Sequence, residues 1–149
     1  MEAVAYVDGA SLANPGSAAL AVRLYDMQGR LLQSICEPIG KQTNNFAEYY
    51  ALLRCLQEAH QKGITRLTIY TDSELLVKQW SGDYRVLSDN LKPLYQEAQE
   101  FRERFEHLKI LHARKDSQDL AKVVDRMARE AARHVQQFAP IPDKEESSE

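Results

Sequence analysis

The sequence has few of the features that mark secreted, membrane or thiolate-metal proteins. Only two cysteines occur in 149 residues, Cys36 and Cys55, and they lie too far apart for a CxxC redox pair or a zinc knuckle. We therefore expect two buried, reduced thiols and no disulfide. No run approaches the roughly 20 apolar residues that span a bilayer, and the start, MEAVAYVDGAS, has an acidic residue where a signal peptide has basic ones. These absences predict a cytoplasmic protein with no membrane partner.

A large excess of positive charge, which many nucleic-acid-binding proteins use against phosphates, is also missing. The net charge is −3, and residues 140–149 account for it with four acids and one lysine, so that residues 1–139 balance at zero. Residues 107–134 contain seven basic and four acidic residues. This moderately basic segment is compatible with a nucleic-acid surface and equally with a helix whose charged face is solvated.

The remaining composition, 44% hydrophobic and 28% charged, is typical of one globular domain with a substantial core. Hydrophobic patterning predicts strands over residues 3–7, 17–26, 30–39, 65–71 and 108–113, and helices over 43–62, 73–80, 91–106 and 119–135. This order predicts an α/β fold with a five-stranded mixed sheet, whose first three strands form an antiparallel meander, and helices on both faces. We assign residues 1–138 to the domain and the acidic, proline-bearing segment 139–149 to a disordered tail.

Three acidic residues lie where an uncompensated charge would be costly to bury. Asp8 and Asp72 each follow an apolar strand, and ligands gather at the carboxyl ends of strands in sheets of this kind. Glu48 is the one charged residue in the segment QTNNFAEYYALL. For Glu48 alone, an ordinary first-turn glutamate favoured by the helix dipole is the alternative.

Asp125 is the fourth acidic candidate. It shares one face of the last predicted helix with Ala121, Ala128 and Ala132, whose small side chains would let that face approach the sheet closely. The alternative is a surface acid that pairs with Arg129 one helical turn later.

Four carboxylates in one place would repel each other strongly at neutral pH unless cations compensate them. Oxygen-only ligands favour magnesium or manganese over zinc. Two such ions about 3.5–4 Å apart can activate a water and stabilise the leaving oxygen in phosphodiester cleavage. The residues therefore predict a two-metal phosphodiesterase in which Asp8, Glu48, Asp72 and Asp125 are both metal ligands and catalytic residues.

Three stretches resemble the signature motifs of type 1 ribonuclease H: DGASLANPG (8–16), TNNFAEYYAL (43–52) and YTDSELLVKQWSGDY (70–84), with VVDRMA closing the series around Asp125. The resemblance covers residues 1–134 in order. It implies a ribonuclease H-like fold, two Mg²⁺ ions with Mn²⁺ as a substitute, and endonucleolytic cleavage of the RNA strand of RNA–DNA hybrids, leaving 3′-hydroxyl and 5′-phosphate ends. Asp8 would bridge both metals, Glu48 and Asp72 would complete one site, and Asp125 the other.

The same resemblance implies substrate-binding residues. RNA differs from DNA in its 2′-hydroxyl, which Glu48 would approach and which asparagine amides suit because they both donate and accept hydrogen bonds. For the minor groove, the positions carried over are Asn14, Asn44 and Asn45, with backbone groups near Ala10 and Ser11. For a phosphate of the DNA strand, they are Lys41 and Thr43. Glu74 stands where relatives often have glutamine. Ordinary helix capping explains Thr43 and the two asparagines after it equally well, and the two roles can coexist.

The sequence departs from many relatives in two functional segments. Residues 85–90 pass almost directly into the next helix, so the basic, tryptophan-containing handle of those relatives is missing. Some members place a mobile histidine before the last aspartate to assist product release; Arg114 and Lys115 stand there instead, whereas His112 is expected in a strand. Two alternatives stay open, a same-fold nuclease with substantial activity on double-stranded RNA and a non-catalytic hybrid-binding module. We expect a monomer.

Overall fold

The computed structural model describes residues 1–113 and 119–138. The predictions for Arg114, Lys115 and residues 139–149 lie outside these ranges. Within them the elements follow the predicted order: β1 (Glu2–Ser11), β2 (Gly16–Asp26), β3 (Leu31–Gln42), α1 (Asn44–Gln61), β4 (Arg66–Thr71), α2 (Glu74–Ser81), α3 (Lys92–Glu100), β5 (His107–His112) and α4 (Asp119–Phe138).

The five strands form one mixed sheet in the order β3-β2-β1-β4-β5. The pairs β1–β2 and β2–β3 are antiparallel, which confirms the predicted meander, and the pairs β1–β4 and β4–β5 are parallel. Because side chains alternate along a strand, β1 presents Ala3, Ala5 and Val7 to one face of the sheet and Tyr6 and Ala10 to the other. The predicted fold class is confirmed.

Helices cover both faces of this sheet. On one face α1 buries a leucine-rich side, including Leu52 and Leu56, in the main hydrophobic core. Thr43 caps α1 as predicted, since its Oγ1 accepts a hydrogen bond from the Phe46 N–H at 3.1 Å. On the other face α4 packs Val124 and Ala128 against the sheet. The two layers place the first turn of α1 and the middle of α4 on either side of the end of β1.

The third helix is shorter than predicted. The pattern predicts a helix over residues 91–106, but α3 ends at Glu100, and a single 3₁₀ turn, Arg102–Arg104, follows. The backbone N–H of Glu106 donates to the Thr65 carbonyl at 2.7 Å. Reaching this partner requires Phe105 to be extended, with φ −116° and ψ 140°. Sheet pairing therefore overrides the helical periodicity of the last six predicted residues.

The prediction of two buried thiols is half wrong. Both cysteines are free, and Cys55 is buried, but Cys36 is exposed. Cys36 lies on β3, an edge strand, where Ile35 takes the position that faces the main core. The next residue must therefore point to the opposite face, where the Cys36 Sγ lies 3.4 Å from the Met127 carbonyl oxygen.

Among the described helices, none combines the length and the apolar character that crossing a membrane requires.

Candidate active site

Three of the four predicted carboxylates meet where β1 and β4 part. The parallel pairing of these strands ends at Val7 and Thr71, one residue before Asp8 and Asp72, while β1 continues beside β2 as far as Ser11. The two aspartates are therefore held side by side at the end of the paired segment. Glu48, from α1, joins them, and carboxylate oxygens of the three residues lie within 4.8 Å of one another.

A glycine allows α1 to approach this closely. A Cβ atom on Gly9 would lie 2.2 Å from the Ala47 carbonyl carbon and 2.4 Å from the Glu48 nitrogen, which is impossible for any other residue without backbone movement. The Gly9 N–H donates to Asp8 Oδ1 at 2.9 Å and to Glu48 Oε1 at 3.4 Å. Gly9 was not singled out from the sequence, although its position directly after Asp8 was the available signal.

Asp125 reaches the same place from the other face of the sheet. Val124 and Ala128 bury this side of α4 against Ala10, as the pattern of small residues predicts. Asp125 lines the same cleft as Asp8 and makes a small contribution to the raised pKa of that carboxyl. Its two carboxylate oxygens also accept hydrogen bonds from the Arg129 Nε, at 3.0 and 3.2 Å. The two interpretations of Asp125, cluster member and partner of Arg129, therefore hold together.

Burial makes this cluster electrostatically strained. Asp8 and Glu48 are only 3% and 5% exposed. Burial, and next the charge of Glu48, raises the pKa of Asp8 far above its ordinary value, and burial followed by the charge of Asp72 raises the pKa of Glu48. Burial also raises the pKa of Asp72, an effect that a hydrogen bond with Asp8 partly offsets. Burial and mutual repulsion therefore both oppose full ionisation of the cluster.

The donor set fits a hard divalent cation. It contains carboxylate oxygens and no nitrogen or sulfur, which is the preference of Mg²⁺ or Mn²⁺ and not of zinc. A bound cation would favour the ionised carboxylates and so offset the burial and mutual repulsion that raise their pKa values. The site therefore has the composition and the spacing of a divalent-cation site, and the raised pKa values identify what such an ion would relieve.

A cleft of about 200 Å³ opens over the carboxylates. Three residues of the predicted substrate set line it: Ala10, Ser11 and Asn44. Three residues that sequence reasoning did not assign to the site, Gly9, Ser73 and Arg129, line it as well. Ser73 is the N-cap of α2, and its place directly after Asp72 could have indicated it.

The other predicted substrate residues surround the cleft without lining it. The Asn14 Oδ1 accepts a hydrogen bond from the Asn44 N–H at 2.9 Å, so it links the β1–β2 turn to the start of α1. Asn45 is exposed beside it, and Lys41 is half-buried near the end of β3. The Thr43 hydroxyl serves as the helix cap. Asn44 connects this group to the cleft, because its N–H donates to Asn14 and it lines the cleft beside the acids.

Glu74 is exposed at the first position of α2, directly after the cleft residue Ser73. Residues 82–91 connect α2 directly to α3, beginning with Gly82 at φ 88°. His112 is the last residue of β5, as predicted.

A sheet in this order, with carboxylates where the parallel pair separates, is the architecture of the ribonuclease H-like fold. The sequence matches the family described as reverse transcriptase-like over residues 6–131. It is 34% identical over 127 residues to "Ribonuclease HI" of Halobacterium salinarum, an alignment that covers 85% of this chain and 62% of that protein. A similar match to "Bifunctional protein Rv2228c" of Mycobacterium tuberculosis, 34% identical over 109 residues, covers 72% of this chain and 30% of that protein.

Solved structures agree with these matches. Ribonuclease H1 of Halobacterium salinarum has a TM-score of 0.83 at 31% identity, covering 90% of this chain and 99% of that one. The N-terminal ribonuclease H domain of Rv2228c has a TM-score of 0.86 at 30% identity, covering 93% and 98%. LC11-RNase H1, in complex with an RNA/DNA hybrid, has a TM-score of 0.80 at 30% identity, covering 89% and 98%. The chain belongs to the type 1 ribonuclease H family.

Proposed function

We propose that this protein is an endoribonuclease that hydrolyses the RNA strand of RNA–DNA hybrids and leaves 3′-hydroxyl and 5′-phosphate ends. The observation that carries the proposal is the convergence of Asp8, Glu48 and Asp72 within 4.8 Å, with Asp125 beside Asp8. A group of buried, like-charged acids is unfavourable for binding phosphates by itself. It becomes useful when divalent cations occupy it. The solved complex of LC11-RNase H1 with a hybrid supports the choice of substrate.

We assign two Mg²⁺ ions, replaceable by Mn²⁺, to the four carboxylates. Asp8 would serve both ions, because Glu48 and Asp72 lie within 4.8 Å of it and Asp125 lines the same cleft. Glu48 and Asp72 would hold one ion with it, and Asp125 would hold the other. When bound, such cations supply a polarised water and neutralise the charge that develops on the phosphate.

The chain itself positions the acids and the RNA strand. Gly9 and Thr71 hold Glu48 by hydrogen bonds to its two oxygens, at 3.4 and 3.5 Å, which keeps this carboxylate oriented towards the cleft. Asn44 and Ser11 line the cleft next to the acids. We assign these two residues, with the backbone near Ala10, to the ribose 2′-hydroxyls of the minor groove.

Neighbouring residues extend the proposed substrate surface. We assign Asn14 and Asn45 to the minor groove beside Asn44, and Lys41 and Thr43 to a phosphate of the DNA strand. Glu74 lies at the start of α2, directly after the cleft residue Ser73, and we assign it to the same surface. The Asn14–Asn44 hydrogen bond makes the minor-groove group a single unit.

One structural feature favours a second substrate. Residues 82–91 run directly from α2 to α3, so the protein has no additional basic element there to grip the DNA strand. Discrimination against double-stranded RNA then depends more heavily on the residues around α1. Substantial activity on RNA duplexes is therefore the alternative function.

The test compares cleavage of three duplexes of the same sequence, hybrid, RNA and DNA, in Mg²⁺, in Mn²⁺ and in EDTA. We expect cleavage of the hybrid RNA strand that requires the cation and is lost in Asp8→Asn, while Asp83→Asn, an exposed control in the α2–α3 connection, retains it. Equal cleavage of the RNA duplex would favour the alternative. Tight hybrid binding without cleavage in either cation would make the protein a non-catalytic binding module.

A further inference from the structure

A fixed positive charge lies inside the acidic cleft. The Nε of Arg129 is 3.0 and 3.2 Å from the two oxygens of Asp125, one helical turn earlier on α4. The hydrogen bond to Asp125 raises the pKa of Arg129, with smaller contributions from Asp8 and Asp72. Arg129 lines the same cleft as the four acids. Its guanidinium is therefore paired with the carboxylate that the second cation would need.

The four carboxylates are not equivalent as a result. Asp8, Glu48 and Asp72 lie within 4.8 Å of one another, and Asp8 and Glu48 are only 3% and 5% exposed. Asp125 is instead compensated by a side chain, and it is 39% exposed. A cation that uses Asp125 must therefore displace the Arg129 guanidinium.

We propose that Arg129 is a positioning residue that competes with a divalent cation for Asp125 and so makes the Asp125 site the second to fill. This inference rests on the proposed function, because it assumes that the acids bind cations. Arg129 acts through Asp125 and is not assigned to the reacting atoms.

The size of the effect follows from the exposure of the pair. The Arg129 side chain is 60% exposed, so the ion pair is a surface pair. Such pairs change an equilibrium constant by roughly twofold to fivefold. The free Asp125 carboxylate should therefore bind a cation at a concentration lower by about that factor once Arg129 is removed.

The experiment is calorimetric titration of the full chain with Mn²⁺ alone, which measures binding without any substrate or catalysis. Arg129→Gln removes the positive charge and the guanidinium group. We expect the Asp125-dependent binding event to move to a roughly twofold to fivefold lower Mn²⁺ concentration. Arg126→Gln is the matched control, because Arg126 is exposed on the same helix but does not line the cleft. Arg129→Lys keeps the charge, so its Mn²⁺ titration should differ less from that of the unchanged protein than the titration of Arg129→Gln does.

A double-mutant cycle separates competition for Asp125 from a general effect of charge. In an Asp125→Asn background, Arg129→Gln should leave the remaining Mn²⁺ binding unchanged. If Arg129→Gln shifts Mn²⁺ binding equally in the Asp125→Asn background, the competition is overturned. It is also overturned if Arg126→Gln shifts Mn²⁺ binding as much as Arg129→Gln does. An unshifted titration for Arg129→Gln, in a protein that binds Mn²⁺, would overturn this inference alone. Absence of any Mn²⁺ binding by the unchanged protein would overturn both this inference and the proposed function.

Discussion

Replacing Asp8 with asparagine should stabilise the protein in the absence of divalent cations. Asp8 is 3% exposed and lies at the centre of the acidic cluster. Asparagine has nearly the same shape and retains an Oδ1 atom to accept the Gly9 N–H. The substitution therefore removes a charge while the packing stays the same.

Two considerations give the magnitude. At the 4.8 Å limit between carboxylate oxygens, two unit charges repel by about 3 kcal/mol at an effective dielectric constant of about 20. Protonation can relieve this, but holding a proton on an aspartate up to pH 7, about 3 units above its ordinary pKa, itself costs about 4 kcal/mol. We therefore expect Asp8→Asn to raise the free energy of unfolding by about 3 kcal/mol at pH 7, or Tm by roughly 6–12 °C for a domain of this size.

The pH dependence has a definite sign. A carboxyl whose pKa is raised by folding destabilises the folded state as pH rises above the ordinary pKa, because the unfolded chain ionises and the folded one resists. Burial raises the pKa values of Asp8 and Glu48, so the stability of the cation-free protein should fall progressively above about pH 4. The advantage of Asp8→Asn should be small at pH 4 to 5 and large at pH 8.

The assay is urea unfolding in EDTA at pH 5, 6, 7 and 8, with Asp83→Asn as the control for removing a surface charge. Saturating Mg²⁺ should then stabilise the unchanged protein and leave Asp8→Asn nearly unaffected. Lower stability of Asp8→Asn at pH 8 in EDTA, or a difference between the proteins that is independent of pH, would refute this electrostatic reasoning.

Three further results are expected. Gly9→Ala should destabilise the protein by about 1–3 kcal/mol in urea unfolding, because its Cβ would lie 2.2 Å from the Ala47 carbonyl carbon; an unchanged midpoint would show that α1 can move away. Asn14→Ala should raise KM for the hybrid more than it lowers kcat, because it removes the 2.9 Å hydrogen bond to the Asn44 N–H, and an effect on kcat alone would contradict this. At matched salt, the protein should bind a hybrid more weakly than relatives with a basic handle, and equal affinity with an equal salt slope would contradict that expectation.

Much of the fold could be predicted because its signals are local. The apolar period along β1 and α1, the threonine cap of α1 and the glycine after α2 depend on neighbouring residues only. The end of α3 could not, because it depends on hydrogen bonds to Thr65, some 40 residues earlier. The exposure of Cys36 likewise depends on β3 being an edge strand, which is a property of the whole sheet.

The candidate site shows the same division. Local pattern was enough to select all four acids. Asp8 and Asp72 follow apolar strands, Glu48 is isolated in an uncharged segment, and Asp125 shares a helix face with small residues. Their distances were not predictable, because they depend on where β1 leaves β4 and on the space that Gly9 opens for α1. The pairing of Asp125 with Arg129 was weighed as an alternative to a role in the cluster, and the structure shows that one carboxylate does both.

The most direct test of the account is the Mg²⁺-dependent cleavage rate of a labelled RNA–DNA hybrid by the unchanged protein and by four single variants, Asp8→Asn, Glu48→Gln, Asp72→Asn and Asp125→Asn, each verified as folded. Replacing a residue that hydrogen-bonds to a metal ligand already lowers activity tenfold to hundredfold. Replacing the ligand itself should lower the cleavage rate by more. We expect every variant to fall by more than about a hundredfold at fixed Mg²⁺. Cleavage at the unchanged rate by any one of the four folded variants would contradict the assignment of that carboxylate, and unchanged cleavage by Asp8→Asn would contradict the shared cation site itself.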